Sequence, residues 1–185
     1  MSIESEEIPR LSETNKRFLL DIARKSVENF VRGNPPEKFD ATDDELRQRR
    51  GVFVTLKVSG ELRGCIGHIL SPEPLPDTTR EMAIKSASQD PRFPPITRSE
   101  LENLEIDISV MGPLVEVTDI DDIVIGRDGL VVDHMGRHGL LLPQVAVEHN
   151  FNVEQFLSQT CLKAMLPADT WKYGAKIFRF AAIVF

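Results

Sequence analysis

Apolar residues recur every three or four positions from Phe18 to Val31, through Leu19, Ile22, Ala23, Val27 and Phe30, while Arg17, Asp21, Arg24, Lys25 and Glu28 occupy the positions between them. The spacing predicts an amphipathic helix that Ser12 caps and Gly33 ends, ahead of Asn34-Pro35-Pro36, which cannot continue it. Thr42-Asp43-Asp44-Glu45 then predicts the start of one or two further helical turns. From Gly51 the period falls to two: Val52, Val54, Leu56 and Val58 alternate with Phe53, Thr55 and Lys57. Ser59-Gly60 reads as a tight turn, so the next run, Glu61 to His68, is expected to return along the first as a hairpin.

Proline and glycine punctuate the rest. Ser71 to Pro76 is a proline-rich connection, and Pro76 suits the first turn of a helix reaching about Gln89, with a buried stripe of Met82, Ala83, Ser86 and Ala87. Asp90-Pro91 ends it, Arg92-Phe93-Pro94-Pro95 forms a stiff loop, and Thr97 to Glu100 has the form of a capping box. Leu104, Ile106, Ile108 and Val110 alternate with polar residues as a half-buried strand, which Gly112-Pro113 interrupts. Extended character resumes at Leu114 to Val117. Ile123 to Ile125 and Leu130 to Val132 are expected to flank a turn at Asp128-Gly129, and a further strand, Leu140 to Leu142, follows His138-Gly139. Asn152 to Gln155 opens a helix with Phe156, Leu157, Thr160, Cys161 and Ala164 along one face, and Lys176 to Phe185 is a closing strand. Clustered strands and separate helices predict the α+β class: a largely antiparallel sheet with flanking helices.

A length of 185 residues suits one domain or two intimately packed lobes with a core large enough to fold unaided. Residues 1–15 are expected to form a polar, frayed opening segment, with the folded domain over 16–185. The opening residues are acidic and lack the apolar stretch of a signal peptide, and no apolar run approaches the length of a membrane span, so a cytoplasmic location is expected. Two cysteines are too few for a disulfide scaffold. With a formal net charge of −7, the chain would grip nucleic acid only through a local patch, and Arg47, Arg49 and Arg50 follow acidic residues closely enough to be a solvated short helix of mixed charge. Neither nucleic acid nor a membrane is an expected partner.

Chemistry concentrates in Glu61-Leu-Arg-Gly-Cys-Ile-Gly-His68. On a regular strand Arg63, Cys65 and Gly67 share one face and Leu62, Gly64 and Ile66 the other, which sets a notch beside a thiol. Cys65 is the candidate nucleophile and Arg63 the cation that would favour its thiolate; equally, a cysteine there fills space in a core. Gly64 and Gly67 mark close approach either of a ligand to the backbone or of a packed helix. Asp90 and Arg92 would position a polar or anionic substrate, or else cap the helix end and tie down the loop. His68, His134, His138 and His149 are the available bases, His134 and His138 in a glycine-rich turn that could fold back. No sequence motif names a metal or a cofactor: there is no nucleotide-binding glycine pattern, no paired C-x-x-C and no H-E-x-x-H.

Leu62-Arg63-Gly64-Cys65-Ile66-Gly67 resembles the signature of the AMMECR family, the protein A component of the AmmeMemoRadiSam system. Ser86-Ala87 with Asp90 and Arg92 to Pro95, Gly139 to Val145, and Cys161 to Ala164 with Trp171 resemble its other blocks, so that the likeness runs from about Leu19 to Phe185. Met165 departs from the pattern, standing where relatives often have glycine. The resemblance implies an α+β protein of two lobes with the signature facing a cleft between them, and association with a Memo-like protein and a radical-SAM protein. It names no reaction. Two classes therefore remain: a cysteine-dependent enzyme or small-ligand protein whose site uses Cys65, Arg63, Gly64, Gly67, Asp90 and Arg92, and a non-catalytic adaptor in which the signature is structural.

Overall fold

The computed structural model describes residues 8–185. Its helices and antiparallel strands stand in separate runs, the α+β class. Two compact units divide them, one of Arg10–Met111 with Ile183–Phe185 and the other chiefly of Gly112–Ala182. The predicted opening segment 1–15 is described only from Ile8, and its last three residues are already helical.

In the first unit α1 (Glu13–Arg32) starts at Ser12, whose hydroxyl accepts the Asn15 N–H at 3.2 Å, and ends at Gly33, whose φ of 73° is one that side chains other than glycine's resist. Of the one or two further turns expected in the acidic run after it, one forms, closed by the Arg47 N–H on the Asp43 carbonyl at 3.1 Å. Asp43 and Glu45 accept hydrogen bonds from the Asn15 side chain at 2.9 and 2.7 Å, and Glu45 also takes the Ser12 N–H at 2.8 Å. These carboxylates serve the first turn of α1, where its unpaired N–H groups and dipole favour negative charge, and the segment makes a single turn.

β1 (Val52–Val58) and β2 (Glu61–His68) form the predicted hairpin through Ser59-Gly60, both at positive φ as the twist of a two-residue hairpin requires. α2 (Leu75–Ser88) packs on both strands and on α1, and β3 (Leu104–Met111) pairs with the other side of β1. Phe185 extends this unit by exchanging two backbone hydrogen bonds with Ile108, at 2.8 and 3.1 Å. Val52, Val54 and Leu56 turn inward beside Ile108 and Val110 and meet Leu19, Ile22, Val27, Met82 and Ala83 in a core closed to solvent. Each large side chain sealed there contributes roughly 1.5–3 kcal/mol of hydrophobic stabilisation. The predicted capping box at Thr97 and Glu100 is present, on a 3-10 helix, Arg98–Asn103.

In the second unit β5 (Asp128–His134) pairs with β6 (Arg137–Leu141) and β7 (Lys176–Val184), and β4 (Val115–Glu116) pairs with β7. Two predicted turns are strand residues. Asp128 is fully buried, accepting the Val124 N–H at 2.8 Å and a two-pronged contact from Arg127, and Gly129 lies under the Phe180 ring; the chain turns instead around Gly126. Likewise His138-Gly139 belongs to β6, and Met135-Gly136, both at positive φ, make the turn. Between β6 and the predicted helix α4 (Val153–Lys163) stands a short helix absent from the sequence reading, α3 (Pro143–Glu148), with proline in its first turn. α4 has the reciprocal cap of Asn152 and Gln155 and buries Phe156, Leu157, Thr160 and Cys161 against Leu130, Val132 and Ile177.

The departure at Met165 has a local cause. It stands just past Ala164, the residue that caps α4, in the left-handed region, φ 57°, with its side chain largely in water. Leu166 N–H returns to the Cys161 carbonyl at 3.0 Å across it, a helix ending that favours glycine. Met165→Gly is expected to raise stability by about 1 kcal/mol, since the strain removed exceeds the chain entropy added. Equilibrium urea unfolding checks this, and a variant less stable than the parent would contradict it.

Candidate functional site

The site begins with an irregularity. Counting back from the Ser59-Gly60 turn, Val58 pairs with Glu61 and Lys57 with Leu62, but Leu56 then pairs with Gly64 and Thr55 with Cys65. Arg63 is the extra residue of a β-bulge. An unbroken ladder would have set Cys65 opposite Val54, on the face that α2 seals. The bulge moves it opposite Thr55 on the other face, where the Thr55 hydroxyl lies 3.3 Å from Sγ and the thiol is half-buried.

The same shift turns Gly64 toward α2. The Ser86 carbonyl oxygen occupies the space that a Cβ at position 64 would need. Ser86 also sends its hydroxyl between the strands, accepting the Ile66 N–H at 2.8 Å and donating to the Val54 carbonyl at 2.7 Å. The small residues of the α2 stripe thus bring the helix close enough for one of its side chains to complete the β1–β2 ladder. At Gly67 the vacant position is covered by the Phe53 ring, which stands directly opposite. Neither glycine leaves an open notch.

Arg63 spends its donors on groups other than the sulfur. Its Nε donates to Glu100 Oε1 at 2.6 Å, and its Nη1 and Nη2 donate to the Pro94 and Pro95 carbonyls at 2.6 and 3.2 Å. Released from the ladder by the bulge, this side chain clamps the proline loop to the 3-10 helix. Burial raises the Glu100 pKa, but hydrogen bonds from Arg63 and Thr97 outweigh it and hold the group below its ordinary value.

The cation tied to Cys65, through Asp90, is Arg92. Asp90, just beyond α2, is 3% exposed at its side chain; its Oδ2 accepts the Cys65 N–H at 2.9 Å, and its two oxygens take Arg92 Nε and Nη2 at 2.9 and 2.7 Å. One carboxylate therefore plugs the outer edge of β2 at Cys65 and fixes a guanidinium beside it. The Arg92 hydrogen bonds, ahead of those from the Cys65 and Arg92 amides and against burial, hold Asp90 well below the usual carboxylate range. The Phe93 ring centroid lies 5.4 Å from Arg92 Cζ and 5.9 Å from Arg63 Cζ, so an aromatic face steadies both arginines.

Comparison with known proteins shows the family, over a span that includes these residues. The AMMECR1 family pattern matches residues 20–185. The chain belongs to the AMMECR1 family. A protein of Methanothermobacter thermautotrophicus is 43% identical over 183 residues, 95% of each chain, and Protein MJ0810 of Methanocaldococcus jannaschii is 40% identical over 177 residues, covering 91% of this chain and 88% of that one. The crystal structure of the uncharacterized protein PH0010 from Pyrococcus horikoshii is similar with a TM-score of 0.88 at 38% identity, covering 94% of this chain and 92% of that one.

In this AMMECR1 chain the histidines have other surroundings. His68 Nε2 is 3.8 Å from Glu81, His138 Nδ1 is 3.6 Å from Asp133, and His149 stacks on Phe151. His134 and His138 lie on the strands flanking their turn, not in it. Among the described residues no cluster of His, Cys, Asp and Glu is arranged to hold a metal ion, and no helix is long and apolar enough to cross a membrane. The residue missed in the sequence is Thr55. It becomes the cross-strand neighbour of Cys65 only through the one-residue register shift at Arg63.

Proposed function

We propose that this protein is a thiol-dependent small-molecule protein in which Cys65 is the nucleophile or covalent anchor for an electrophilic ligand. The observation that supports this most directly is the double use of Asp90, which fixes the Cys65 backbone and the Arg92 guanidinium with one buried carboxylate. A cysteine that only fills space needs neither a fixed cation nor a hydroxyl at its sulfur. In the reaction the sulfur lone pair forms the new bond to the ligand's electrophilic carbon, the leaving group departs with its bonding pair, and the thiol proton passes to water.

The test is alkylation by iodoacetamide, followed at each cysteine by mass spectrometry. Native Cys65 should react several-fold faster than the same residue in the urea-unfolded chain, since a fixed environment raises reactivity above that of a free thiol. Cys161, fully buried and with its thiol pushed up by burial first, should stay unlabelled in the native protein. A Cys65 that reacts no faster folded than unfolded would remove the proposal. Thr55→Val should slow the native reaction by roughly fivefold, the equivalent of one hydrogen bond of about 1 kcal/mol, with Thr55→Ser close to the parent. Equal rates for Val and Ser would leave the hydroxyl without a part in the chemistry.

A further inference from the structure

Resting on the reading of Cys65 just given, we infer that the ligand of this site carries an oxyanion, a carboxylate or a phosphate, read by the outward edge of Arg92.

The Asp90–Arg92 pair is formally neutral, but its two ends face different media. Asp90 is 3% exposed and Arg92 50% exposed at the side chain, so the negative end is sealed and the positive end meets solvent. Charge in contact with water-accessible space governs what approaches from solvent, and on this pair that charge is the guanidinium's. The guanidinium spends Nε and Nη2 on Asp90, and Nη1 makes no hydrogen bond to any described residue. Arginine presents its donors as a planar fork, and when one edge is clamped the other points in a fixed direction suited to two oxygens.

The neighbouring charges do not cancel this. Lys57 and Asp107 lie on the strands next to Thr55 and pair with each other at 2.7 Å, and Arg63 is matched by Glu100. Arg92 also feels the sulfur, whose negative form favours its charged state after the larger effect of Asp90. A guanidinium already held by a bidentate carboxylate and the Phe93 ring loses little freedom on binding, so an anion gains most of the contact. Against a formal net charge of −7, such a local cation is what would admit an anionic ligand at all.

The experiment compares iodoacetate with iodoacetamide on the full chain, reagents of similar size that differ by one negative charge. In each, the C–S bond forms, the C–I bond breaks, iodide leaves with the bonding pair and the thiol proton goes to buffer. Rates at Cys65 are divided by those of N-acetylcysteinamide, a thiol with no other charge, with the same reagent. At low salt the normalised rate should favour iodoacetate by roughly three- to tenfold, and the preference should fade toward 1 M salt as screening shortens the reach of the charge. Arg92→Lys should keep part of the preference and Arg92→Gln should abolish it, because the solvent-facing cation is gone. Should Arg92→Gln fail to fold, the parent's salt series and Arg92→Lys decide. Protection by inorganic phosphate but not acetate would assign a phosphate ligand, and the reverse a carboxylate.

A normalised preference of one or less at low salt would overturn the inference even if Cys65 is fast toward iodoacetamide. Slow reaction with iodoacetamide itself would instead remove the underlying thiol reading, so the two failures are separate.

Discussion

Gly64→Ala is expected to destabilise the protein by roughly 3 kcal/mol or more, although it adds a single methyl group and leaves every charged residue untouched. Overpacking usually costs about 1–3 kcal/mol because flexible side chains make way. Here the obstacle is backbone, the Ser86 carbonyl of α2, so relief requires the helix to withdraw from β2. Withdrawal draws the Ser86 hydroxyl out of the ladder and leaves the Ile66 N–H and Val54 carbonyl without it, each buried group costing roughly 1–3 kcal/mol if it stays unpaired. For a chain of this size about 3 kcal/mol lowers the melting temperature by roughly 6–12 °C. Leu62→Ala, at an exposed position of the same strand, should change stability by less than about 1 kcal/mol and is the control. Equal stability of Gly64→Ala and the parent would show that α2 does not depend on the missing side chain.

That expectation bears on why the signature reads as it does. Gly64 was open to two meanings in the sequence, a place for a ligand or for a helix, and the carbonyl lying against it decides for the helix. Elements governed by nearby residues were legible: α1 with its Ser12 cap and Gly33 end, the Ser59-Gly60 hairpin, the α2 stripe and the Asn152 cap. Their signals are complete within a few residues. What escaped depends on partners distant in sequence. Asp128-Gly129 has the composition of a turn, yet Arg127 and the Val124 amide satisfy the carboxylate in the core, and Phe180, some fifty positions away, roofs the glycine. Phe53 over Gly67 is the same device in the other unit. Strict alternation makes Arg63 and Cys65 neighbours on one face. One inserted residue redirects the guanidinium to Glu100 and gives the thiol Thr55 for company, and no local pattern announces a bulge at an arginine.

Asp90→Asn is expected to be the most informative change at the site, with a loss of about 3 kcal/mol at neutral pH together with the special behaviour of the thiol. Removing one member of a buried ion pair costs about 3–5 kcal/mol, and the lower end applies because half-exposed Arg92 can be rehydrated while the amide at Cys65 keeps an acceptor. The pH dependence carries the stronger test. Asp90 is held below its unfolded value by Arg92, so it binds its proton less readily folded than unfolded. Its contribution is then fully present above the ordinary aspartate range near pH 4 and is lost as the pH falls through it toward the folded value. The stability gap between parent and Asp90→Asn should therefore be flat above about pH 5 and shrink by roughly 1 kcal/mol per unit below about pH 4. Comparing the two proteins subtracts the other carboxylates that also sit low, Asp43, Glu45 and Glu100 among them. In the same variant Arg92 loses its anchor, so the iodoacetate preference at Cys65 should fall with the stability. A gap that stayed constant down to pH 3, or a thiol that kept its charge preference without Asp90, would mean that this carboxylate holds the loop and nothing more.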